Sequence, residues 1–242
     1  PHHYTLTPGD LRKVETSALF IINGLGFEPF AERVSKEFPK LNIVEASKGI
    51  PTLPSNTEKD HPNPHVFACP AGQKALIENV KKHLQETYPS ARAVIASNAD
   101  YLGNELQGLE SEWSVAAQQL ASVPVIITHE SLDYLVQSLG LRIVGRLSFE
   151  DEEGREPAAG ELLELVQLCK KEGPKAILTD DQHDSSVART LQRETGIPLI
   201  KVNTLVSGPS EPAFMHAIQT LRTDLAALLS LRKPPESSQM KR

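Results

Sequence analysis

The chain has few of the residues that can hold a fold together covalently. Only two cysteines occur among its 242 residues, Cys69 and Cys169, and they lie far apart. Zinc sites built from Cys-x-x-Cys pairs are therefore excluded. A single long-range disulfide is the alternative, and we disfavour it because the two cysteines fall in different predicted domains.

Long apolar runs and an excess of basic residues are also missing. The longest runs, such as Ala18–Ile22, end well short of the ~20 residues that a membrane helix requires. The 25 basic residues are outnumbered by 31 acidic ones, so the net charge is −6. A nucleic-acid surface would need a basic patch. We therefore expect no membrane span and no nucleic-acid partner.

The common catalytic motifs are absent too. The sequence contains no His-Glu-x-x-His pair, no Gly-x-Ser-x-Gly elbow and no phosphate-binding Gly-x-x-x-x-Gly-Lys run. These absences disfavour an enzyme. The chain also begins at Pro1 without a leader, so we expect a processed form or a fragment from which any export signal has already been removed.

The hydrophobic pattern of the chain predicts an α/β fold with mainly parallel sheets, because short apolar strands alternate with amphipathic helices. Thr7 precedes Pro8 and Asp10 as the expected N-cap of the first helix. The predicted strands are Leu19–Ile22, Ile43–Glu45, Val123–Thr128, Arg142–Val144, Ala176–Leu178 and Leu199–Val202. The predicted helices run from Pro8 to about Ser17 and over Glu28–Phe38, Ala71–Thr87, Ala99–Ala121, Ser131–Leu139, Pro157–Lys171, Ser185–Thr195 and Pro212–Leu231.

The pattern also predicts two lobes joined by one long rigid helix. We assign 1–97 to an N-terminal lobe, 98–121 to the linker helix with Ser97 as its N-cap, 122–232 to a C-terminal lobe and 233–242 to a polar tail. The segment Glu150–Glu156 reads as an acidic loop.

Three short segments place a histidine at the edge of a predicted element. They carry His2, His65 and His129, the last directly after a predicted strand. Imidazole is the commonest protein ligand for zinc, and ligands collect at the carboxyl ends of strands in open α/β sheets. The histidines therefore predict a metal site, although each one taken alone could be an ordinary loop residue.

The same segments resemble a known family. Pro1–Asp10 is similar to the Pro-His-x-Tyr-x-x-Thr-Pro-x-Asp segment of the zinc- and manganese-binding solute-binding proteins of ABC importers, the ZnuA/TroA-like group. Asn63–Pro70 resembles that family's Asp-Pro-His-Val-Trp-x-Asp-Pro, and Thr128–Tyr134 resembles its third ligand segment. The resemblance covers essentially the whole chain in the same order.

The resemblance implies a function and a ligand set. It implies capture of a divalent metal between two lobes, delivery to an ABC permease, and an exported protein that is periplasmic or on the cell surface and monomeric. His2, His65 and His129 would be the imidazole ligands. Such a site suits zinc better than manganese, which favours oxygen ligands.

Two departures from the family pattern matter. The family takes a fourth ligand from a carboxylate after the last strand, where this chain has Val206, so we predict His183 instead, with Asp181 or water as alternatives. Family members also carry a strand, helix and strand before the Pro-His segment. We therefore expect either that this numbering starts within a longer natural chain or that the first lobe is incomplete. A zinc-dependent hydrolase with a three-histidine site, using Glu130 or Asp181 as general base, is the alternative function.

Overall fold

The computed structural model describes residues 4–57, 60–147, 159–180, 185–205 and 210–232. The chain divides into two compact units, Pro1–Gly108 and Leu109–Arg242. Each unit contains its own parallel sheet with helices, as the hydrophobic pattern predicted. The predicted α/β class is therefore confirmed.

The first unit is built around a two-stranded parallel sheet. Strand β1 pairs with β2, with Phe20 opposite Ile43. Val34 of the intervening helix is fully buried, whereas Phe30 and Phe38, which we also expected to face inward, are half-buried. The elements are α1 (Pro8–Glu15), β1 (Phe20–Ile22), α2 (Ala31–Glu37), β2 (Ile43–Glu45) and α3 (Pro70–Thr87).

The second unit contains a four-stranded parallel sheet with the strand order β4-β3-β5-β6. Strand β5 lies inside this sheet, and all five of its residues are buried. The elements are β3 (Pro124–Ile127), α5 (Asp133–Ser138), β4 (Arg142–Arg146), α6 (Ala159–Glu172), β5 (Ala176–Asp180), α7 (Ser186–Thr195), β6 (Leu199–Val202) and α8 (Glu211–Ser230).

One hydrophobic cluster of the second unit lies between this sheet and two of its helices. Ile126 and Ile177 from adjacent strands belong to one cluster with Cys169 of α6 and Leu191 of α7, and each is nearly or fully buried. Helix α7 fits this position because its sequence is strongly amphipathic, with Val187, Ala188 and Leu191 buried on one side. Burial of these side chains holds the sheet edge that carries His129.

Helix α4 (Arg92–Leu120) is 29 residues long, which corresponds to about 43 Å. The division between the two units falls within it. The prediction that Ser97 caps this helix is wrong, because Ser97 lies inside it, and a 3-10 turn at Pro89–Ala91 leads directly into Arg92. The alanine-rich stretch before Ser97 has a high helix propensity, so the chain is already helical when it reaches that serine.

Three further bounds differ in ways that concern the candidate site. Strand β5 continues to Asp180, two residues beyond its predicted end. The predicted helix Ser131–Leu139 is a 3-10 turn over Glu130–Leu132 followed by α5. The helix predicted over Glu28–Phe38 covers only α2, because residues 23–28 form a loop with three positive φ angles.

Some predictions concern residues outside the described part of the chain. These are His2, Asp181, His183, Val206, the loop Glu150–Glu156 and the tail 233–242. No disulfide joins Cys69 and Cys169, so that alternative was wrong. Among the described helices, none combines the length and apolar character needed to cross a membrane.

Candidate metal site

In the first unit, His65 is held by its neighbour Asn63. Both side chains are buried, with exposed fractions of 4% for His65 and 0% for Asn63. The Oδ1 atom of Asn63 accepts hydrogen bonds from the backbone N–H of His65 at 2.9 Å and from its Nδ1 at 2.8 Å. An amide oxygen can only accept, so Nδ1 carries the ring proton. In the neutral ring the lone pair therefore lies on Nε2, the nitrogen through which His65 would bind a metal ion.

Two aromatic rings surround the imidazole of His65. The Phe27 ring meets it edge to face with centroids 5.4 Å apart, and the Phe67 ring does so at 5.8 Å. The two phenylalanines also contact each other at 5.2 Å. Such packing restricts the ring's orientation and lowers the local polarity.

The loop that carries Phe27 is tied to the segment before His65. The side-chain amide of Asn23 donates a hydrogen bond to the backbone oxygen of Pro64 at 3.0 Å. Glu28 in turn accepts from the backbone N–H groups of Asn23 and Gly24, at 2.7 and 3.1 Å. Burial raises the pKa of Glu28 above its usual value, although these two hydrogen bonds act in the opposite direction.

A close backbone contact holds the 3-10 turn Val66–Ala68 that follows His65. A Cβ atom placed on Gly72 of α3 would lie 1.7 Å from the backbone oxygen of Val66. Only glycine fits there, because the turn and the helix touch backbone to backbone. His65 therefore stands at the start of a turn that is packed tightly against α3.

The segment after His2 is anchored to the start of α1. Thr7 is the N-cap, as predicted, and it also forms a capping box with Asp10. The Tyr4 hydroxyl donates to Asp10 Oδ2 at 2.7 Å. Hydrogen bonds from Thr7 and Tyr4 lower the pKa of Asp10 to about 2. The Tyr4 ring packs edge to face on Phe30 at 5.9 Å. These hydrogen bonds and the ring contact therefore hold residues 4–10 in place.

In the second unit, His129 follows strand β3, as the sequence predicted. Its side chain is 12% exposed. Its Nδ1 accepts a hydrogen bond from the backbone N–H of Ser131 at 3.0 Å. Asp180, at the end of β5, has its Oδ2 atom 3.8 Å from the same nitrogen. The hydroxyl of Ser131 donates a short hydrogen bond to that Oδ2 atom.

The backbone after β6 is held by hydrogen bonds up to Leu205. Oδ1 of Asn203 accepts from the backbone N–H of Leu205 at 2.7 Å, and the backbone N–H of Asn203 donates to Asp224 on α8 at 2.7 Å. Leu205 has a φ of 61°, an unusual value for a residue with a side chain. These contacts fix the backbone up to the position before Val206.

Two of the four predicted ligands lie among the residues that the structure describes, and two do not. His65 belongs to the first unit and His129 to the second, whereas His2 and His183 lie outside the described ranges. Within those ranges, no three His, Cys, Asp or Glu side chains cluster closely enough to hold a metal ion. Asp180 was not singled out from the sequence, because the predicted strand ended at Leu178. The adjacency of strands β3 and β5 would have revealed it.

Comparison with known proteins gives a consistent result. The family model described as "Zinc-uptake complex component A periplasmic" matches residues 1–228. The manganese-binding lipoprotein MntA of Halalkalibacterium halodurans is 25% identical over 204 residues, which are 82% of this chain and 66% of that protein. The zinc-binding lipoprotein AdcA of Streptococcus pneumoniae is 23% identical over 94% of this chain, which spans 48% of AdcA.

A solved structure supports the fold at full length. The metal-dependent lipoprotein YcdH from Bacillus subtilis superposes with a TM-score of 0.78 and 25% identity, covering 95% of this chain and 86% of that one. The family model covers nearly all of the chain, including the segments of all four predicted ligands. The chain therefore belongs to the family of the periplasmic component A of zinc-uptake complexes.

Proposed function

We propose that the chain captures a divalent transition metal, zinc in the first place, and delivers it to the membrane permease of an ABC importer. The observation that carries this proposal is the hydrogen bonding of His65. Asn63 accepts a hydrogen bond from its Nδ1, so the lone pair of the neutral ring lies on Nε2, as binding of a metal ion through that nitrogen requires. The family match supports the same function.

The proposed ligands are His2, His65, His129 and His183. Asp181 or a water molecule is the alternative to His183, because Val206 stands where the family has a carboxylate. Support for the first three comes from the matched segments, and for His65 also from its hydrogen bond with Asn63. Support for His183 comes from the chemistry of its side chain and its place after β5.

Zinc is the proposed ion because the ligands are mainly imidazoles. Manganese prefers carboxylate and carbonyl oxygens, and the loss of the family's carboxylate at Val206 removes one of these. The related proteins named above include both a manganese-binding and a zinc-binding lipoprotein. Manganese is therefore the second candidate.

The proposed setting follows from the same relatives. All three relatives named above are lipoproteins, and the family's description is periplasmic, so we place the protein outside the cytoplasm, in the periplasm or on the cell surface. The permease of an ABC importer is its proposed protein partner, and we propose that it acts as a monomer. Since the chain spans only part of these relatives, these proposals concern the whole protein to which it corresponds.

Zinc titration of histidine variants tests the ligand set. Replacing His2, His65 or His129 by Ala should each weaken zinc binding at least tenfold, about 1.4 kcal/mol. His216→Ala is the matched control, because His216 is exposed on α8 and should leave the affinity unchanged. Three ligand variants that bind zinc as tightly as the original chain would contradict the proposal.

The fourth ligand has its own test. His183→Ala should weaken zinc binding more than tenfold if His183 binds the ion, and have little effect if Asp181 or water does. Val206→Asp should raise the affinity for manganese relative to zinc, because it adds a hard oxygen ligand. An unchanged ratio in the folded variant would show that this turn does not contribute to the site.

The affinity for zinc should also depend on pH. Ligating imidazoles must be neutral, so protons compete with zinc below the ordinary histidine pKa of about 6.5. We expect a steep fall in affinity between about pH 7.5 and 5.5. A flat profile would indicate that carboxylates hold the ion.

The hydrolase alternative is disfavoured, because the family consists of solute-binding proteins rather than enzymes. A hydrolase with three histidines needs a general base beside the metal-bound water. We propose that the protein is not an enzyme. The zinc-loaded protein should hydrolyse activated esters and phosphoesters no faster than the His129→Ala variant, and a rate that depends on His129 would support the hydrolase instead.

A further inference from the structure

A buried carboxylate stands beside His129 in the second unit. Asp180 is the last residue of β5, and its exposed fraction is 1%. Strands β3 and β5 are adjacent and parallel, with Ile127 opposite Leu178. Their carboxyl ends therefore meet at one edge of the sheet, and two residues further on His129 and Asp180 lie side by side.

The register that brings them together is itself held by hydrogen bonds. The backbone N–H of Thr128 donates to the backbone oxygen of Leu178 at 3.0 Å. The hydroxyl of Thr128 donates to that of Thr179 at 3.2 Å. Sheet pairing thus continues beyond the regular strands, and the position of Asp180 relative to His129 does not depend on a free loop.

Asp180 reaches the imidazole of His129 in two ways. Its Oδ2 atom accepts a short hydrogen bond from the Ser131 hydroxyl, and the backbone N–H of that serine donates to Nδ1 of His129. The same Oδ2 atom is 3.8 Å from Nδ1 directly. Nδ1 therefore faces the Ser131–Asp180 pair, and because Nδ1 accepts a hydrogen bond there, the proton of the neutral ring lies on Nε2 in this arrangement.

Metal binding at Nε2 places a requirement on Nδ1. A neutral imidazole that gives its Nε2 lone pair to an ion carries its proton on Nδ1. That proton needs an acceptor, and the backbone N–H of Ser131 cannot accept. Asp180 Oδ2 can, once the ring gives up the hydrogen bond from the Ser131 N–H and the 3.8 Å gap closes. Carboxylates commonly orient metal-binding histidines in this way.

We propose that Asp180, supported by Ser131, is the positioning residue of His129. Its carboxylate accepts a hydrogen bond from the Nδ1–H group when Nε2 binds the ion. Asn63 has the corresponding place beside His65, where a neutral amide oxygen is already bonded to Nδ1. The two histidines are thus oriented by different groups. This inference rests on the proposed function, because it takes His129 as a ligand.

A double-mutant cycle with zinc as the probe tests the inference. His129→Ala and Asp180→Ala should each weaken zinc binding at least tenfold, and the double variant should bind no more than about twofold more weakly than His129→Ala alone. A positioning residue acts only through its histidine, so its effect disappears when that histidine is gone. Additive losses would overturn the proposal and would show that Asp180 acts independently, for example as a ligand.

Two further variants protect the test against misfolding. Ser131→Ala removes the hydroxyl that holds Asp180 and should weaken zinc binding in the same non-additive way, so it replaces Asp180→Ala in the cycle if that variant fails to fold. Asp133→Asn is the matched control, because Asp133 is a buried acid of the same unit that pairs with Arg146 at 2.6 Å. It should bind zinc within twofold of the original chain.

The outcomes separate this inference from the function on which it rests. If His129→Ala binds zinc normally, the proposed ligand set is wrong. If His129→Ala loses affinity while the folded Asp180→Ala and Ser131→Ala variants do not, the ligand set stands and the positioning role is wrong.

Discussion

Truncation of Asn63 should weaken both the fold and zinc binding. Asn63 is fully buried, and its Oδ1 atom accepts two hydrogen bonds from His65. In Asn63→Ala both bonds are lost, and a buried N–H and the ring Nδ1 are left without this acceptor. Each bond contributes about 1 kcal/mol net, and a buried donor without a partner costs about 1–3 kcal/mol. We therefore expect the free energy of unfolding to fall by about 2–4 kcal/mol.

The effect on zinc binding has a separate cause. Without Asn63 the hydrogen bond that keeps the proton on Nδ1 of His65 is lost, so the ring's preference for this tautomer weakens. Removing such an orienting group typically weakens metal binding by about 10–100-fold, or about 1.4–2.7 kcal/mol. Urea denaturation of the metal-free protein measures the first effect, and competition with a fluorescent zinc chelator measures the second.

Two variants make this experiment decisive. Asn63→Asp introduces the family's residue and keeps an acceptor for both donors, so it should retain zinc binding. Asn98→Ala removes an exposed asparagine from α4 and should change neither quantity. If folded Asn63→Ala binds zinc as tightly as the original chain while His65→Ala does not, the orienting role assigned to Asn63 is refuted.

Three other changes test the fold around the site. The pKa of Asp10 is depressed from 3.8 to about 2, so the stabilisation by its ionised form is complete above pH 3.8 and should be lost as the pH falls towards 2. In urea denaturation, the Asp10→Asn variant should lack this pH dependence of stability. Gly72→Ala should lower the melting temperature sharply because its Cβ would lie 1.7 Å from a backbone oxygen, whereas Gly103→Ala, in open space on α4, should stabilise the protein by about 0.4–1 kcal/mol. Equal melting temperatures of the two variants would contradict this packing. Leu178→Ala should cost about 2–5 kcal/mol in chemical denaturation because Leu178 is fully buried in β5, and a loss below about 1 kcal/mol would mean that the strand is not central.

Local signals in the sequence were enough for much of the fold and for the histidines. The cap at Thr7, the strand Ile43–Glu45 and the strand Leu199–Val202 were predicted within their observed bounds. Each depends on neighbouring residues, through side-chain capping or a short apolar run. His129 was likewise placed correctly after its strand, because strand ends are visible in the sequence. The ligand roles themselves came from the family resemblance and stay predictions.

Other features depend on residues that are distant in sequence, and only the tertiary structure decided them. The strand order β4-β3-β5-β6 places Asp180 beside His129, although the two residues are 51 positions apart in the sequence. The contact between Gly72 and the Val66 oxygen depends on how a turn docks against a helix. Hydrophobic periodicity reports which face of an element is buried, but not which element it meets. The sequence by itself therefore determined the elements and the histidine segments that resemble the family, and long-range strand pairing decided that Asp180 lies beside His129.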